Sequence, residues 1–362
     1  MPIDDLFAED YAHARTGFRS AAASAGAELH AFEHPTERGP GGETLSIDVA
    51  VLGAKDASRC LLLISGTHGV EGFAGSGCQV GFFRDAWYGA LPDNARVVVL
   101  HALNPYGFAW IRRVNEDNVD LNRNFLDFTA TLPRNDAYDA IHELLIPADW
   151  DGAARVAADA QIQELVRKHG FAALQAAVSG GQYTHSDGLF FGGVRATWSS
   201  DIFKRILSTL VPPSAMRLVA IDLHTGLGPT AYGEPILVGG SERQAEIAKA
   251  RFGAEVKVLE AGESTSSILT GTLANAVVAG REGHDVTFLG LEFGTRPVVE
   301  VLSALRGDHW LHRARNPQSL LRAQIKRNLR DAFYVDASYW RAAVYGRAAD
   351  FVCRAARALA AP

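Results

Sequence analysis

The chain has 362 residues, enough to bury a sizeable α/β core, and at 48% hydrophobic and 21% charged it lacks a disordered composition. A net charge of −6 gives no electrostatic reason to expect nucleic acid, and no apolar run approaches the ~20 residues of a membrane span. Three widely spaced cysteines without a CxxC pair suggest neither a disulfide framework nor a cysteine metal site. The N-terminal segment is acidic and has no basic-then-apolar pattern, so no signal peptide is expected and a reducing cytoplasm fits.

In chain order, residues 5–26 read as an amphipathic helix, followed by strands at 28–33 and 44–52 across a turn-rich segment from Pro35 to Gly42. Residues 59–65 form a continuous apolar run, the pattern of a strand buried on both faces. A helix over 72–88 and a strand over 95–101 then complete a strand–helix–strand order that argues for a parallel sheet. Residues 104–136 lack periodicity and are predicted to be a long ordered loop, a kind of segment that is usually functional. Further on come helical residues 151–179 with a break near Gly170, a glycine-rich loop over 180–193 and a helix over 197–210. Strands at 216–223 and 235–239, a helix at 241–252 and a strand at 284–292 follow. From 297 onward the pattern is helical, punctuated by Pro317 and by a break near Asp336. No repeat or linker is evident, so one domain with helical additions is expected.

The chemistry concentrates at the ends of three apolar strands. His68-Gly69-Val70-Glu71 follows the run at 59–65, Asp222-Leu223-His224 ends the run at 216–223, and Glu292 ends the run at 284–291. Ligands bind outside the carboxyl edge of open α/β sheets, so these positions can meet. Two imidazoles and one carboxylate leave one tetrahedral position open, which distinguishes a catalytic zinc from a structural one. Each residue alone has a blander reading: HxxE is a weak pattern, and a strand-end histidine is often only hydrogen-bonded. Their joint occurrence favours the metal reading.

HxxE, Asn-Pro-Tyr-Gly at 104–107, Arg113, Asp-Leu-Asn-Arg-Asn-Phe at 120–125, Asp-Leu-His at 222–224 and Leu-Glu-Phe-Gly at 291–294 together resemble the zinc carboxypeptidase superfamily, over about residues 45 to 300. Within it the chain is most similar to a bacterial branch whose substrates are largely unassigned. The resemblance implies an αβα fold with a mixed, largely parallel sheet and one Zn²⁺ held by His68, Glu71 and His224. It implies Glu292 as general base, Arg113 on the oxyanion, and Asn122 and Arg123 on a substrate carboxylate. The chemistry of these side chains agrees. A glutamate can shuttle the proton of the attacking water, a guanidinium stabilises charge where it develops, and arginine offers a planar fork to a carboxylate. Arg112, Tyr183 and His185 are further candidates for substrate contact, each with an ordinary structural alternative in a salt bridge or a polar turn.

The expected activity is hydrolysis of an amide bond beside a free carboxylate in a small peptide. Desuccinylase and aspartoacylase relatives share the zinc core but add a C-terminal β domain, whereas residues 297–360 here read as helical. An N-acyl amino acid deacylase stays open as an alternative, as does a metal- or ligand-binding module without turnover. Larger carboxypeptidases place a mobile tyrosine some twenty residues before the catalytic glutamate. No tyrosine lies between Tyr232 and Glu292, leaving Tyr183, Tyr232 and Tyr334 as candidates. Asp222 is either a partner of the metal ligands or a strand residue facing away. Ser264 to Ser267 reads as a solvated loop or a substrate contact. Gly226-Leu-Gly228 mimics a dinucleotide fingerprint, but Pro229 and the next strand leave no room for the required helix. No GxSxG elbow occurs, which argues against a serine hydrolase.

Overall fold

A computed structural model describes residues 2–314 and 319–361. Its centre is one eight-stranded mixed sheet: β1 (Glu28–Arg38), β2 (Thr44–Leu52), β3 (Arg59–Ser65), β4 (Ala95–His101), β5 (Arg217–Thr230), β6 (Gly233–Leu237), β7 (Lys257–Val258) and β8 (Asp285–Gly294). The spatial order is β1-β2-β4-β3-β5-β8-β6-β7. The middle four strands, β4, β3, β5 and β8, run parallel, with antiparallel strands β2 and β6 bordering them.

The apolar runs at 59–65 and 95–101 become β3 and β4 because both faces of the sheet are covered. Leu61, Leu63, Val97, Val99, Val219 and Ile221 point to one core. This face is closed by helices Gly72–Arg84 and Ser338–Ala360, which contribute buried Phe82, Trp340 and Phe351. Cys60, Leu62, Ile64, Val98, Leu218 and Ala220 point the other way, onto helices Trp198–Thr209 and Leu273–Val278 through Phe203, Ile206 and Val277. Alternation of residues along each strand feeds the two cores. The result is the expected three-layer α/β arrangement.

Several boundaries differ from the sequence expectation. The N-terminal helix spans Tyr11–Ser24, capped by the Asp10 side chain, behind a short turn at Ile3–Leu6. The predicted turn from Pro35 to Gly42 shrinks because β1 continues to Arg38 across a register shift after Glu33. A proline is tolerated there because β1 is an edge strand. β5 runs seven residues past 223, so His224 lies inside a strand rather than in the loop after it. The long segment 104–136 is mostly irregular, as expected, with a short helix at Pro105–Ala109 and a single turn at Leu121–Arg123. Gly170, with φ of 83°, separates helices Ala153–His169 and Phe171–Ser179. The C-terminal region is helical over Val298–Arg313, Ser319–Phe333 and Ser338–Ala360, with the Asp336 break between the last two. Pro317 lies outside the described residues. No helix among the described residues is long and apolar enough to cross a membrane.

Candidate active site

The carboxyl ends of β3, β5 and β8 converge on one cavity. After β3 the chain reverses at Gly66, whose φ of 64° suits glycine, and enters the His68–Glu71 segment. That segment is clamped by the loop carrying Asn-Pro-Tyr-Gly. The Gly69 and Val70 amides donate to the Arg113 and Arg112 carbonyls at 3.1 and 2.8 Å. A Cβ on Gly69 would lie 2.1 Å from the Gly107 carbonyl carbon, so the two backbones can touch only there. Asn104 caps the short helix, accepting from the Gly107 amide at 2.8 Å, while its own amide donates to the Gly66 carbonyl. Both glycines and Asn104 therefore hold His68 and Glu71 in place.

His68, Glu71 and His224 are buried together, and their candidate donor atoms lie within 4.8 Å of one another. His68 Nδ1 and His224 Nδ1 each sit 2.9 Å from a different oxygen of the Glu71 carboxylate. The far side of each ring is backed by a second carboxylate: His68 Nε2 is 3.1 Å from Asp120 Oδ1, and His224 Nε2 is 2.7 Å from Asp222 Oδ2. Carboxylate–histidine pairs of this kind fix ring orientation and raise ligand basicity at metal sites. Asp222 is itself held by the Thr67 hydroxyl at 2.9 Å, and Asp120 accepts from the Asn122 amide at 3.0 Å. Two Nδ1 atoms and one carboxylate with this backing fit a divalent ion such as zinc. Among the described residues this is the only such group of histidine and acidic side chains.

The charges of this group offset the cost of burying it. Burial works against the charged form of Glu71, yet His68 and His224 hold its carboxyl well below the usual range. Burial likewise opposes charge on Asp120 and is overcome by Arg113, His68 and Arg123. His224 is pushed well above the ordinary imidazole value, because Asp222 and Glu71 outweigh its burial.

Glu292 stands opposite His224 in the pairing of β8 with β5. Its Oε1 accepts from the Leu227 amide at 2.9 Å. Burial, then the charge of Glu71, lifts its carboxyl to about 7. Such a carboxylate is tuned to exchange protons near neutral pH.

Glu292 shares a cavity of ≈ 130 Å³ with His68, Glu71, His224, Arg113, Asn122 and Arg123. Arg113 Nη2 lies 3.3 Å from Asp120 Oδ2, whereas its buried Nη1 has no partner. Arg123 gives Nη1 to the Asn122 carbonyl and Nη2 to the Ser179 carbonyl at 2.9 and 2.6 Å, leaving its buried Nε without one. Phe190 stacks against both guanidiniums, 4.9 Å from Arg113 and 5.8 Å from Arg123, and holds a left-handed φ of 52° to do so. Strained backbone of this kind clusters at functional sites.

Three expected substrate contacts are not brought to the cavity. Arg112 is buried but turned away, donating to Asp308 at 2.9 Å and Asn118 at 3.0 Å. His185 stacks on His142 at 3.8 Å and approaches Asp139. Tyr183 spends its hydroxyl on the Arg123 carbonyl at 2.8 Å, so it positions Arg123 without lining the cavity. No tyrosine is found among the described residues of the cavity wall, so neither Tyr232 nor Tyr334 supplies the missing mobile residue there. Ser266 and Ser267, from the polar stretch at 264–267, do reach the wall.

Asp120 and Phe190 carry no role in the sequence expectation. A signal for Asp120 existed, since an aspartate two residues before Asn122 can cap the turn and still present a free oxygen. Phe190 has none, being one aromatic in a glycine-rich loop. Asp222, left open between two roles, is resolved by strand period: residues two apart share a face, so it lies beside His224.

No curated protein matches the sequence. Among solved structures the chain is similar to a carboxypeptidase A from Helicoverpa armigera, at 12% identity and a TM-score of 0.43, covering 95% of this chain and 74% of that one. It is also similar to a metallo-carboxypeptidase from Burkholderia cenocepacia, at 12% identity and 0.39, covering 94% and 68%. An aspartoacylase family protein from Mesorhizobium loti matches at 18% and 0.37, over 74% of this chain, which spans only 61% of that protein's length. A family model described as "Protein of unknown function (DUF2817)" matches residues 7–347, and the chain belongs to that family.

Proposed function

We propose that this protein is a zinc-dependent hydrolase that cleaves an amide bond beside a free carboxylate in a small peptide. The observation that carries the reading is the cavity itself. It joins a carboxylate-backed His68–Glu71–His224 set, a carboxyl at Glu292 lifted to about 7, and two guanidinium nitrogens with no partner.

His68, Glu71 and His224 would hold the ion, with Asp120 and Asp222 fixing the two rings. When bound, zinc supplies Lewis acidity to the scissile carbonyl and to the attacking water. Glu292 takes the water's proton at its carboxylate and returns it to the leaving amine. The unpaired Nη1 of Arg113 is available to the oxygen that gains charge in the transition state. Asn122 and the free Nε of Arg123 hold the substrate carboxylate, with Phe190 keeping the two guanidiniums in register.

The test is turnover of a panel of dipeptides and N-acyl amino acids by zinc-loaded protein, against the same substrates amidated at the carboxylate. Cleavage that depends on the free carboxylate is expected. Preference for N-acyl amino acids over dipeptides would reassign the enzyme as a deacylase, and no cleavage of either would reject the reading.

A further inference from the structure

The glycine-rich loop over 180–193 holds both arginines of the cavity, and its tip is gripped away from the cavity by a pair of stacked imidazoles. Tyr183 donates its hydroxyl to the Arg123 carbonyl, and Phe190 lies against the guanidiniums of Arg113 and Arg123. Gln182 ties these contacts to the tip. Its backbone amide donates to the Phe190 carbonyl at 3.1 Å. Its side chain donates to the His185 carbonyl at 2.7 Å and accepts from the His185 amide at 2.8 Å. A shift of His185 therefore reaches Phe190 through a single residue.

His185 stacks on His142 with ring centroids 3.8 Å apart and planes 15° from parallel, and neither ring lines the cavity. His142 belongs to the short helix His142–Leu145 and is buried. Among the described residues, the groups facing the pair come from several elements. Asp139 lies 3.1 Å from His185 Nε2, while Asp187 and Glu143 lie 3.5 and 3.9 Å from His142 Nε2. Arg313 meets Asp187 at 3.0 Å, and the Tyr138 ring stands 5.8 Å from His142 and 5.9 Å from His185. With both carboxylates at its Nε2, neutral His142 carries its hydrogen there and leaves Nδ1 bare. That Nδ1 is buried and has no partner among the described residues. A further proton must go to Nδ1, as a buried donor without an acceptor, on a ring stacked against a second imidazole. Both features oppose it. Burial, then His185, accordingly hold His142 below the ordinary imidazole value despite Asp187 and Glu143.

We propose that the His142–His185 stack is a proton-sensitive positioning clamp: closed while His142 is neutral, it keeps Phe190 and Tyr183 against the two arginines, and it opens when His142 takes a proton. Opening exposes Nδ1 to water, so the open tip binds the proton more tightly than the closed one. Opening is therefore favoured as pH falls below about 6.5, by up to about tenfold per pH unit. Neither histidine touches substrate; both act through Gln182 and Phe190. The movement of the tip is independent of the hydrolase reading, whereas its effect on a substrate rests on that reading.

Deuterium exchange of backbone amides in the full-length protein, at pH 7 and pH 5 and corrected for intrinsic rates, follows the clamp directly. Peptides spanning 182–191 should lose protection by at least about fivefold at pH 5 in the parent. His142→Phe keeps a stacking ring that takes no proton, so its protection should hold. His142→Gln, also without a titrating group, serves in its place if melting temperatures show the first variant to be unfolded. Protection unchanged in the parent, or lost equally in parent and variant, overturns the proposal. Turnover tests the consequence at the arginines. The KM of zinc-loaded enzyme for a dipeptide should rise between pH 7 and pH 5.5 by at least about threefold more in the parent than in the variant. A tip that opens while KM moves equally in both overturns the link to the arginines. Absence of turnover at pH 7 rejects the hydrolase reading instead, and the exchange result then decides the clamp.

Discussion

His224 and Glu292 are paired neighbours on adjacent parallel strands, β5 and β8, so a candidate metal-ligating imidazole and a carboxyl lifted to about 7 line one wall of the cavity. The sheet thus places the imidazole of the candidate metal site beside the proposed base without a flexible loop between them. Glu292→Gln should keep the shape of that wall and its metal while losing the base. Turnover is expected to fall by about a hundredfold or more. Metal content measured on the same sample should stay unchanged, and undiminished turnover would remove Glu292 from its role.

Asp120 and Asp222 should tune the ion rather than bind it. Asp120→Asn and Asp222→Asn each leave a hydrogen-bonding group behind His68 or His224 but remove its charge. Zinc affinity is expected to drop by about 10- to 100-fold in either variant. Competition with a chromogenic chelator measures it, and affinities equal to the parent would show that the two backing carboxylates are structural only.

The two arginines should separate kinetically. Arg123→Ala should raise KM for substrates with a free carboxylate and do little to amidated ones. Arg113→Ala should lower kcat, by about a hundredfold if its Nη1 meets the oxyanion. Equal losses on free and amidated substrates would count against carboxylate recognition by Arg123.

Arg112, by contrast, belongs to a buried charge cluster with Asp308 and Lys326, in which Lys326 Nζ lies 2.6 Å from Asp308. Asp308→Asn strands two cations and should cost about 3–5 kcal/mol of stability. Urea denaturation of metal-free protein should show this, while zinc stoichiometry at saturating metal stays the same. A fall in stoichiometry would tie this cluster to the site.

Two buried histidines give the protein an acid limit. Burial lowers His101 and His309 to about 4 each. Because the unfolded chain takes up these protons near 6.5, stability is full above that value. It is lost as pH falls toward 4, by up to about 1.4 kcal/mol per unit for each group. Denaturation midpoints between pH 7 and 4.5 should fall accordingly, and His101→Gln should flatten the slope. A parent slope that His101→Gln leaves unchanged would contradict the assignment.

What could be read from the chain follows from the physics of each element. β3, β4, β5 and β8 announce themselves as continuous apolar runs because both of their faces are buried. The polar residues at their ends, His68, His224 and Glu292, stand out against those runs. β7, two residues long, and helix Leu273–Val278 have too little pattern to be seen and take shape only by packing on the sheet. Arg112, His185 and Tyr183 look like Arg113 as letters in polar loops. Which of them reaches a cavity is decided by distant partners, Asp308 for Arg112 and His142 for His185.

The most direct test of the central claim is metal content of the purified protein after equilibration with zinc, beside His68→Ala and His224→Ala. The account predicts about one zinc per chain in the parent and loss of it in both variants. A folded parent that binds no zinc, or variants that bind as well as the parent, would contradict the metal site and the hydrolase built on it.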